Sequence, residues 1–344
     1  MSRGRGTRGR TARGRIGALV GLAIGLLVLG PALAPGYLLF YDMVFVPHLA
    51  LGGRTLGLDG AVPRAVPTDA VVAVLSTVAP GWVVQKLLLL LVFVGAGSGV
   101  GRLMGTCTGA AVAAVAACWN PYVGERLAIG HWSFLLGYAA LPWLAAAAAD
   151  CRDGRPRGRS RMAWWLLLCA LTGSTGSVIG ILVALVVLGC PSPASRGPRR
   201  RASDVLLLAV TALVVNAPWW VPSLAGAGAQ RSDPAGVAAF AARADSPLGV
   251  VGSVVTLGGI WNQGVWFAGR ADHLVAWVTL ATVLLVLVVA LGQRRWWAHP
   301  VLPGVLVAGV LCLVLSLAGA VPGSEPVLRG LVEHVPGAGC CATA

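Results

Sequence analysis

Long apolar stretches separated by short polar segments make up most of this 344-residue chain. Three stretches carry no charge and reach or exceed the roughly 20 apolar residues that cross a bilayer as a helix: Ile16–Tyr41, Val205–Leu224 and Val301–Ser324. Other apolar stretches, bounded by charged or turn-forming residues, predict further spans at Trp82–Val100, Thr106–Trp119, Trp132–Ala149 and Leu274–Leu291. The pattern therefore predicts an all-α, polytopic integral membrane protein, folded as a helical bundle.

The apolar stretch Met162–Gly189 is interrupted by Thr172–Ser177, whose glycine and hydroxyl residues are poor in a helix interior. Basic residues flank the stretch on both sides, so it should cross the membrane an even number of times. We therefore predict a hairpin of two short helices, Ala163–Leu171 and Val178–Gly189, which gives about nine transmembrane segments. A single long tilted helix is the alternative, and it would invert the orientation of everything that follows.

Charge is scarce and unevenly placed. Only 11% of residues are charged, against about 25% in a typical soluble domain, yet the net charge is +14. This composition excludes a soluble enzyme, a secreted disulfide scaffold and a disordered protein. Arginines cluster before the first span, at Arg152–Arg161 and at Arg196–Arg201, and the hairpin topology places 18 basic and 3 acidic residues on the cytoplasmic side. Because this distribution follows the positive-inside rule, the arginines orient the chain in a bilayer, and no nucleic-acid partner is expected.

Three regions follow from this topology. Residues 1–15 form a cytoplasmic Arg-rich tail, residues 16–320 a transmembrane domain with external loops at 42–81 and 221–270, and residues 321–344 a short external tail. The protein is thus predicted in the cell membrane, with a cytoplasmic N-terminus and an extracytoplasmic C-terminus. The basic start, apolar run and Ala32–Ala34 would also fit a cleaved signal peptide, but Pro35 disfavours cleavage, so we predict an uncleaved signal anchor.

Acidic residues in the first external loop are the first candidates for chemistry. Asp42 directly follows the first predicted span (span 1, Ile16–Tyr41), where a carboxylate can meet a lipid headgroup on one side and an aqueous substrate on the other. Desolvation at this boundary would raise its pKa and suit it to act as a general base. Asp59 and Asp69 could supply a second acid or ligate a divalent metal. The alternative is that an Asp after a helix merely solvates the loop.

Basic residues on the same side are candidates for binding a phosphate. Arg126 and His131 lie in the segment that joins the predicted spans Thr106–Trp119 and Trp132–Ala149. An arginine can hold a phosphate through a forked, charge-assisted contact. The alternative is a turn in which Glu125 and Arg126 simply pair or face water. Arg270, followed by Asp272 and His273, marks a third polar cluster at the outer end of the predicted span Leu274–Leu291.

Several of these features together resemble the GT-C class of membrane glycosyltransferases. The acid after the first span and two long external loops are similar to that class. More specifically, one run resembles large GT-C-like proteins of actinobacteria, which include arabinofuranosyltransferase-like and YfhO-like proteins: Asn120-Pro121-Tyr122, Glu125-Arg126-Leu127, Gly130-His131-Trp132, Leu136-Gly137-Tyr138 and Leu141-Pro142-Trp143. Gly258–Trp261 and Val335–Gly339 are similar to patterns in those proteins too.

The resemblance implies transfer of a sugar from a polyprenyl-phosphate donor to a cell-envelope glycan acceptor outside the cytoplasm. Asp42 would deprotonate the acceptor hydroxyl, and an arginine or histidine would steady the leaving phosphate. Such proteins usually continue with further spans or an external domain, so this chain is expected to be truncated at its C-terminus. A non-catalytic or truncated membrane protein is therefore the alternative. A transporter or lipid flippase is less favoured because Lys86 alone brings an ionisable group near a span interior.

Overall fold

A computed structural model describes residues 2–59, 65–192, 194, 197–225, 233, 235–293, 297–321 and 323–334. In these residues the chain is helical, at 72% helix, and contains no β-strand, which confirms the all-α prediction. The chain divides into two compact units, unit 1 up to Pro222 and unit 2 from Ser223 onward.

Unit 1 contains most of the described helices. They are α1 (Ser2–Leu29), α2 (Thr68–Ser76), α3 (Gly81–Leu103), α4 (Cys107–Cys118), α5 (Pro121–Ala128), α6 (Trp132–Arg152), α7 (Gly158–Leu171), α8 (Ser174–Gly189), α9 (Gly197–Val215) and α10 (Ala217–Ala225), the last of which runs across the unit boundary. Unit 2 contains α11 (Gly236–Ala239), α12 (Gly249–Val255), α13 (His273–Gly292), α14 (Leu302–Ala318) and α15 (Glu325–His334).

Four helical segments are long and apolar enough to cross a membrane: Gly9–Leu33, Gly81–Leu103, Trp132–Arg152 and His273–Gly292. Helices α8 and α14 are apolar but shorter. Side chains along α13 are largely exposed, as expected for a helix that faces lipid. The chain is therefore a helical, membrane-embedded protein with four candidate spans among its described residues.

Polar side chains account for where several helices begin. Thr106 Oγ1 accepts the N–H of Gly109 at the start of α4, and Asn120 Oδ1 accepts the N–H of Val123 at the start of α5. Asp272 does the same for α13 through the N–H of Val275. Each bond satisfies an amide that the first turn of a helix leaves without an intrahelical partner.

Helix α3 lies at the centre of unit 1 and packs against α1, α4 and α6. Glycines bring α1 and α3 close: a Cβ at Gly17 would clash with the carbonyl group of Gly97, and one at Gly21 with that of Phe93. Small residues permit this backbone approach, which is a common source of helix association in lipid. The buried side chains of Leu89, Phe93 and Leu135 then fill the space between α3 and its neighbours.

Some sequence-based boundaries differ from the observed ones. Span 1 was expected to reach Tyr41, but α1 ends at Leu29 and a 3₁₀ turn follows at Gly30–Leu33. Gly30 has a φ of +38° and Pro31 lacks an amide hydrogen, so the helix cannot continue. The expected loop 42–81 contains α2, the expected loop 221–270 contains α11 and α12, and residues 2–15 belong to α1.

The stretch Met162–Gly189 forms two helices, α7 and α8, that pack against each other. They separate at Thr172-Gly173, where Gly173 has a φ of +112° that favours glycine. The expected break was longer, but α8 already begins at Ser174, so most of the Thr172–Ser177 segment is helical. The number of crossings and the GT-C-like fold remain predictions.

Candidate functional site

Asp42 lies in a tight turn of the chain after α1. Phe40 and Met43 exchange backbone hydrogen bonds across the turn, with N···O distances of 3.3 and 2.8 Å. Tyr41 has a φ of +42°, an uncommon value for a residue with a Cβ, and the amide of Asp42 donates to the carbonyl oxygen of Ile129 at 3.0 Å. The turn is thus fixed both within itself and to the end of α5.

Gly130 packs directly against the backbone of this turn. Its φ is +89°, and a Cβ placed on it would overlap the amide nitrogen of Met43 and the carbonyl carbon of Asp42. Position 130 therefore requires glycine for two reasons: the positive φ, and the close approach of the backbone at Asp42 and Met43. The connection between α5 and α6 therefore positions the backbone of Asp42.

The carboxylate of Asp42 is hydrogen-bonded to the next residue of that connection. Its Oδ2 atom lies 2.8 Å from Nε2 of His131, and Nδ1 of His131 lies 3.0 Å from Nη1 of Arg126. Because a guanidinium group only donates, Nδ1 must be the acceptor, and the ring proton must be on Nε2. This assigns a neutral imidazole that accepts from Arg126 and donates to Asp42.

Aromatic rings hold the two basic side chains in place. The ring of His131 stacks on Phe134 with centroids 4.9 Å apart, and the guanidinium of Arg126 lies over the rings of Tyr122 and Phe134 at 5.5 and 5.8 Å. Burial and the nearby charge of Arg126 lower the pKa of His131, while Asp42 partly opposes this shift. At neutral pH the imidazole is therefore uncharged, in agreement with the hydrogen bonds.

A cavity of about 410 Å³ opens beside Asp42 and His131. Three helices begin at its wall: Thr68 and Asp69 start α2, Trp132–Phe134 start α6, and Ser174 and Thr175 start α8. Helix N-termini carry partial positive charge and amides without intrahelical partners. Apolar residues complete the lining, among them Val44, Phe45, Leu49 and Val72. The cavity thus offers polar groups and an apolar wall to one ligand.

Asp69 is the second carboxylate at the cavity. Burial raises its pKa, and the charge of Arg54 partly opposes the shift. Desolvation of the charged form is the cause, as for any half-buried carboxyl group. Two carboxyl groups therefore line the cavity, and they differ in exposure: Asp42 is exposed and Asp69 is partly buried.

The remaining sequence candidates lie elsewhere. Arg126 contacts His131 and does not line the cavity, and Asp59 is an exposed loop residue that does not line it either. Arg270 belongs to unit 2, where its buried guanidinium pairs with the buried carboxylate of Asp245 and donates to Thr256. The structure thus brings together Asp42, Asp69, His131 and, behind it, Arg126.

Sequence reasoning missed several polar residues of the cavity wall. Thr172, Ser174 and Thr175 were considered only as helix-interrupting residues, and Thr68 and Ser133 were not considered at all. For Ser133 the available signal was its position at the start of the predicted span Trp132–Ala149. The helix starts at Thr68 and Ser174 were not predicted, so no comparable signal marked those residues. In the described part of the chain, no group of three or more His, Cys, Asp or Glu side chains is placed to hold a metal ion.

The Asp42–His131–Arg126 chain at this cavity can hold a carboxylate in a fixed direction while leaving it accessible to a substrate. The carboxylate of Asp42 is 63% exposed, whereas the His131 side chain is 13% exposed. No family model matches the chain, and neither a curated protein nor a solved structure matches it. The residues of this cavity are therefore the features of the chain that point to a function.

Proposed function

We propose that the protein is a GT-C-like membrane glycosyltransferase that transfers a sugar from a polyprenyl-phosphate donor to an extracytoplasmic glycan acceptor. The observation that carries the proposal is the exposed carboxylate of Asp42, oriented by His131 at the mouth of the cavity. An oriented, accessible carboxylate beside an amphipathic cavity is what a general base needs when its substrates differ in polarity.

The two carboxylate oxygens of Asp42 have different roles in this proposal: Oδ2 is held by His131, and Oδ1 is the base. Oδ2 accepts the N–H of His131, and within the described residues Oδ1 accepts no hydrogen bond. An acceptor hydroxyl can therefore donate to Oδ1. As the hydroxyl oxygen attacks the anomeric carbon of the donor, its proton passes to Asp42, and the bond from that carbon to the phosphate oxygen breaks. Polyprenyl phosphate leaves with the bonding electron pair.

The helix starts around the cavity support the binding of the donor phosphate. The first residues of α2, α6 and α8 line the same space, and the partial positive charge at each helix start favours a negatively charged group there. Arg126 adds a full positive charge behind His131 at 3.0 Å from its ring. In this proposal, Asp69 contacts sugar hydroxyls and the apolar wall contacts the first isoprene units.

The proposal also includes a topology: a cell-membrane protein with about nine crossings, a cytoplasmic N-terminus and an extracytoplasmic C-terminus. It places Ser174, at the cavity, outside and Ser203, among the arginines of α9, inside. Variants S174C and S203C, in a background without reactive cysteines, test this with a membrane-impermeant maleimide. We expect labelling of intact cells at position 174 and labelling at 203 only after permeabilisation. External labelling at 203 would overturn the topology.

Transfer is tested on the full chain purified into proteoliposomes with a panel of polyprenyl-phosphate sugars and a cell-envelope glycan acceptor. We expect D42N to lower the transfer rate by about 10²–10⁴-fold, since it removes the general base but keeps the size of the side chain. The matched control is D233N, because Asp233 is an exposed aspartate of unit 2 whose described bond is to the amide of Ala235. A D42N protein that transfers at the wild-type rate would exclude the catalytic role.

A further inference from the structure

A second cleft, of about 330 Å³, lies in unit 1 between the turn that follows α6 and the first turns of α9. Arginines dominate its lining: Arg155, Arg157, Arg159 and Arg200 face one acid, Asp204. Four guanidinium groups and one carboxylate give the lining a net charge of +3. The general positive-inside bias explains why arginines are on this side, but it does not explain why four of them surround one cleft.

Two buried acids fix the arginines that form the walls. Asp150 accepts from Arg155 at 3.0 Å and from Arg161 at 2.8 Å, and Asp204 accepts from Arg159 at 2.7 Å. Both carboxylates are almost fully buried, with 6% and 7% of their side chains exposed. Both acids are therefore already paired with Arg155, Arg159 and Arg161, and neither is paired with the two other arginines of the lining, Arg157 and Arg200.

Arg157 and Arg200 differ from Arg155 and Arg159 in their ion pairing. Both are exposed, both line the cleft, and neither forms an ion pair with a described residue. Arg157 precedes α7 with a φ of +60°, an unusual conformation for a residue with a side chain. Two guanidinium groups on one cleft can donate several charge-assisted hydrogen bonds to the oxygens of a single phosphate.

Apolar surface begins next to the cleft. Helices α7 and α9 pack together, and each carries large exposed side chains within a few turns of its charged start. Trp164 on α7 is 59% exposed, and Leu206 and Val210 on α9 are 64% and 51% exposed. A ligand with a phosphate at one end and apolar chains at the other would complement the two surfaces at the same time.

We propose that this cleft binds the phosphate headgroup of an anionic phospholipid, with the acyl chains against the exposed apolar faces of α7 and α9. A soluble phosphate compound would satisfy the arginines but would leave the apolar faces uncovered. The proposal does not depend on glycosyl transfer, because the cleft shares no lining residue with the cavity of Asp42.

The experiment is native mass spectrometry of the full chain in detergent, titrated with dioleoyl phosphatidylglycerol or with dioleoyl phosphatidylcholine. We expect tighter binding of phosphatidylglycerol by the wild-type protein. The double variant R157Q/R200Q should weaken that binding about 25-fold, since each arginine beside the bound anionic headgroup contributes about fivefold. Binding of phosphatidylcholine should not change.

The matched control is R10Q/R199Q, which removes the same charge from arginines that do not line the cleft. We expect it to bind phosphatidylglycerol as the wild-type protein does. Equal loss in both double variants, or no preference for phosphatidylglycerol, would overturn the proposal. So would complete displacement of the lipid by millimolar inorganic phosphate at constant ionic strength, because the ligand would then be a soluble anion. If the double variant does not fold, R157Q and R200Q singly carry the same test.

Discussion

Oδ2 of Asp42 lies 2.8 Å from Nε2 of His131, although 89 residues separate them in the chain. Their backbones meet as well, because the turn of Asp42 rests on Gly130 and its amide donates to Ile129. Asp42 is therefore held beside His131 by backbone contacts and by a side-chain hydrogen bond. It places an acid at the mouth of a cavity and determines the direction in which its free oxygen points.

Replacing His131 should separate orientation from basicity. In H131A the carboxylate of Asp42 keeps its charge but loses its hydrogen-bond donor and is free to rotate. We expect transfer to fall by about a hundredfold, the cost of a misplaced reacting group, with a smaller change in apparent donor affinity. The measurement is a comparison of kcat and KM in proteoliposomes. In H131N, whose amide can donate to Asp42, part of the rate should return, and a rate for H131A equal to that of wild type would contradict the orienting role.

The pKa of His131 should move in opposite directions when its two partners are removed. R126Q removes a nearby positive charge that lowers the pKa, so the pKa should rise. D42N removes the carboxylate that raises it, so the pKa should fall. NMR titration of isotopically labelled histidine checks both shifts, with H131N identifying the resonance among the five histidines of the chain. Shifts of the same sign in both variants would contradict the hydrogen-bond assignment.

The same lowered pKa predicts a dependence of stability on acidity. As the pH falls below 6.5, the unfolded chain binds a proton at His131 that the folded chain does not yet bind. The melting temperature should therefore decrease between pH 6.5 and the folded-state pKa, and protonation would also place Nδ1–H against a donor of Arg126. H131N should lose this part of the decrease. An identical pH profile in H131N and wild type would show that His131 does not contribute to it.

Gly130 permits a test of the backbone contact. A Cβ in G130A would overlap Asp42 and Met43 in addition to straining a φ of +89°, whereas in G36A it would meet no atom within 4 Å at a φ of +110°. Both variants bear a strain of about 1–3 kcal/mol, but only G130A must also displace the turn of Asp42. We expect G130A to lower the melting temperature and abolish transfer, and G36A to lower stability while keeping transfer. Equal loss of activity in both would show that the contact is unimportant.

The sequence predicted the long helices best where a continuous apolar run ends at charged residues. The expected span Trp82–Val100 agrees with α3, and Trp132–Ala149 agrees with α6, because the apolar pattern stops at Arg102 and Asp150, close to the ends of these helices. The pattern gave no sign of α2 within the predicted loop 42–81, because a helix of nine residues is too short to be stable on its own and depends on tertiary contacts.

For the site, residue types were predictable but their grouping was not. Asp42 and His131 were identified separately, and their hydrogen bond depends on a turn whose register is fixed by Gly130, a contact that no local pattern encodes. Asp69 joins them because α2 starts at the cavity wall, whereas Asp59 in the same loop does not line it. The tertiary fold therefore determines that Asp42 and Asp69 line the cavity and that Asp59 does not.

Close packing of α1 and α3 should tolerate one glycine substitution and not another in the same helix. A Cβ at Gly97 would overlap the carbonyl oxygen of Gly17, but a Cβ at Gly95 would meet Ala139 at an ordinary 3.4 Å. We expect G97A to cost about 1–3 kcal/mol through overpacking, while G95A is neutral or slightly stabilising because alanine favours helix. Melting temperatures in one detergent measure this difference. Equal values for the two variants would contradict the close contact.

Arg270 was predicted to bind substrate, and the ion pair with Asp245 suggests a test that distinguishes this from a structural role. Removing one member of a buried pair leaves an uncompensated charge and costs about 3–5 kcal/mol. If Arg270 is structural, R270Q should make unit 2 sensitive to protease at temperatures where R243Q, a change at an exposed arginine, has no effect. If Arg270 instead binds substrate, R270Q should keep its protease resistance and raise the KM for the donor. Because both carboxylate and guanidinium are buried, we expect the first result.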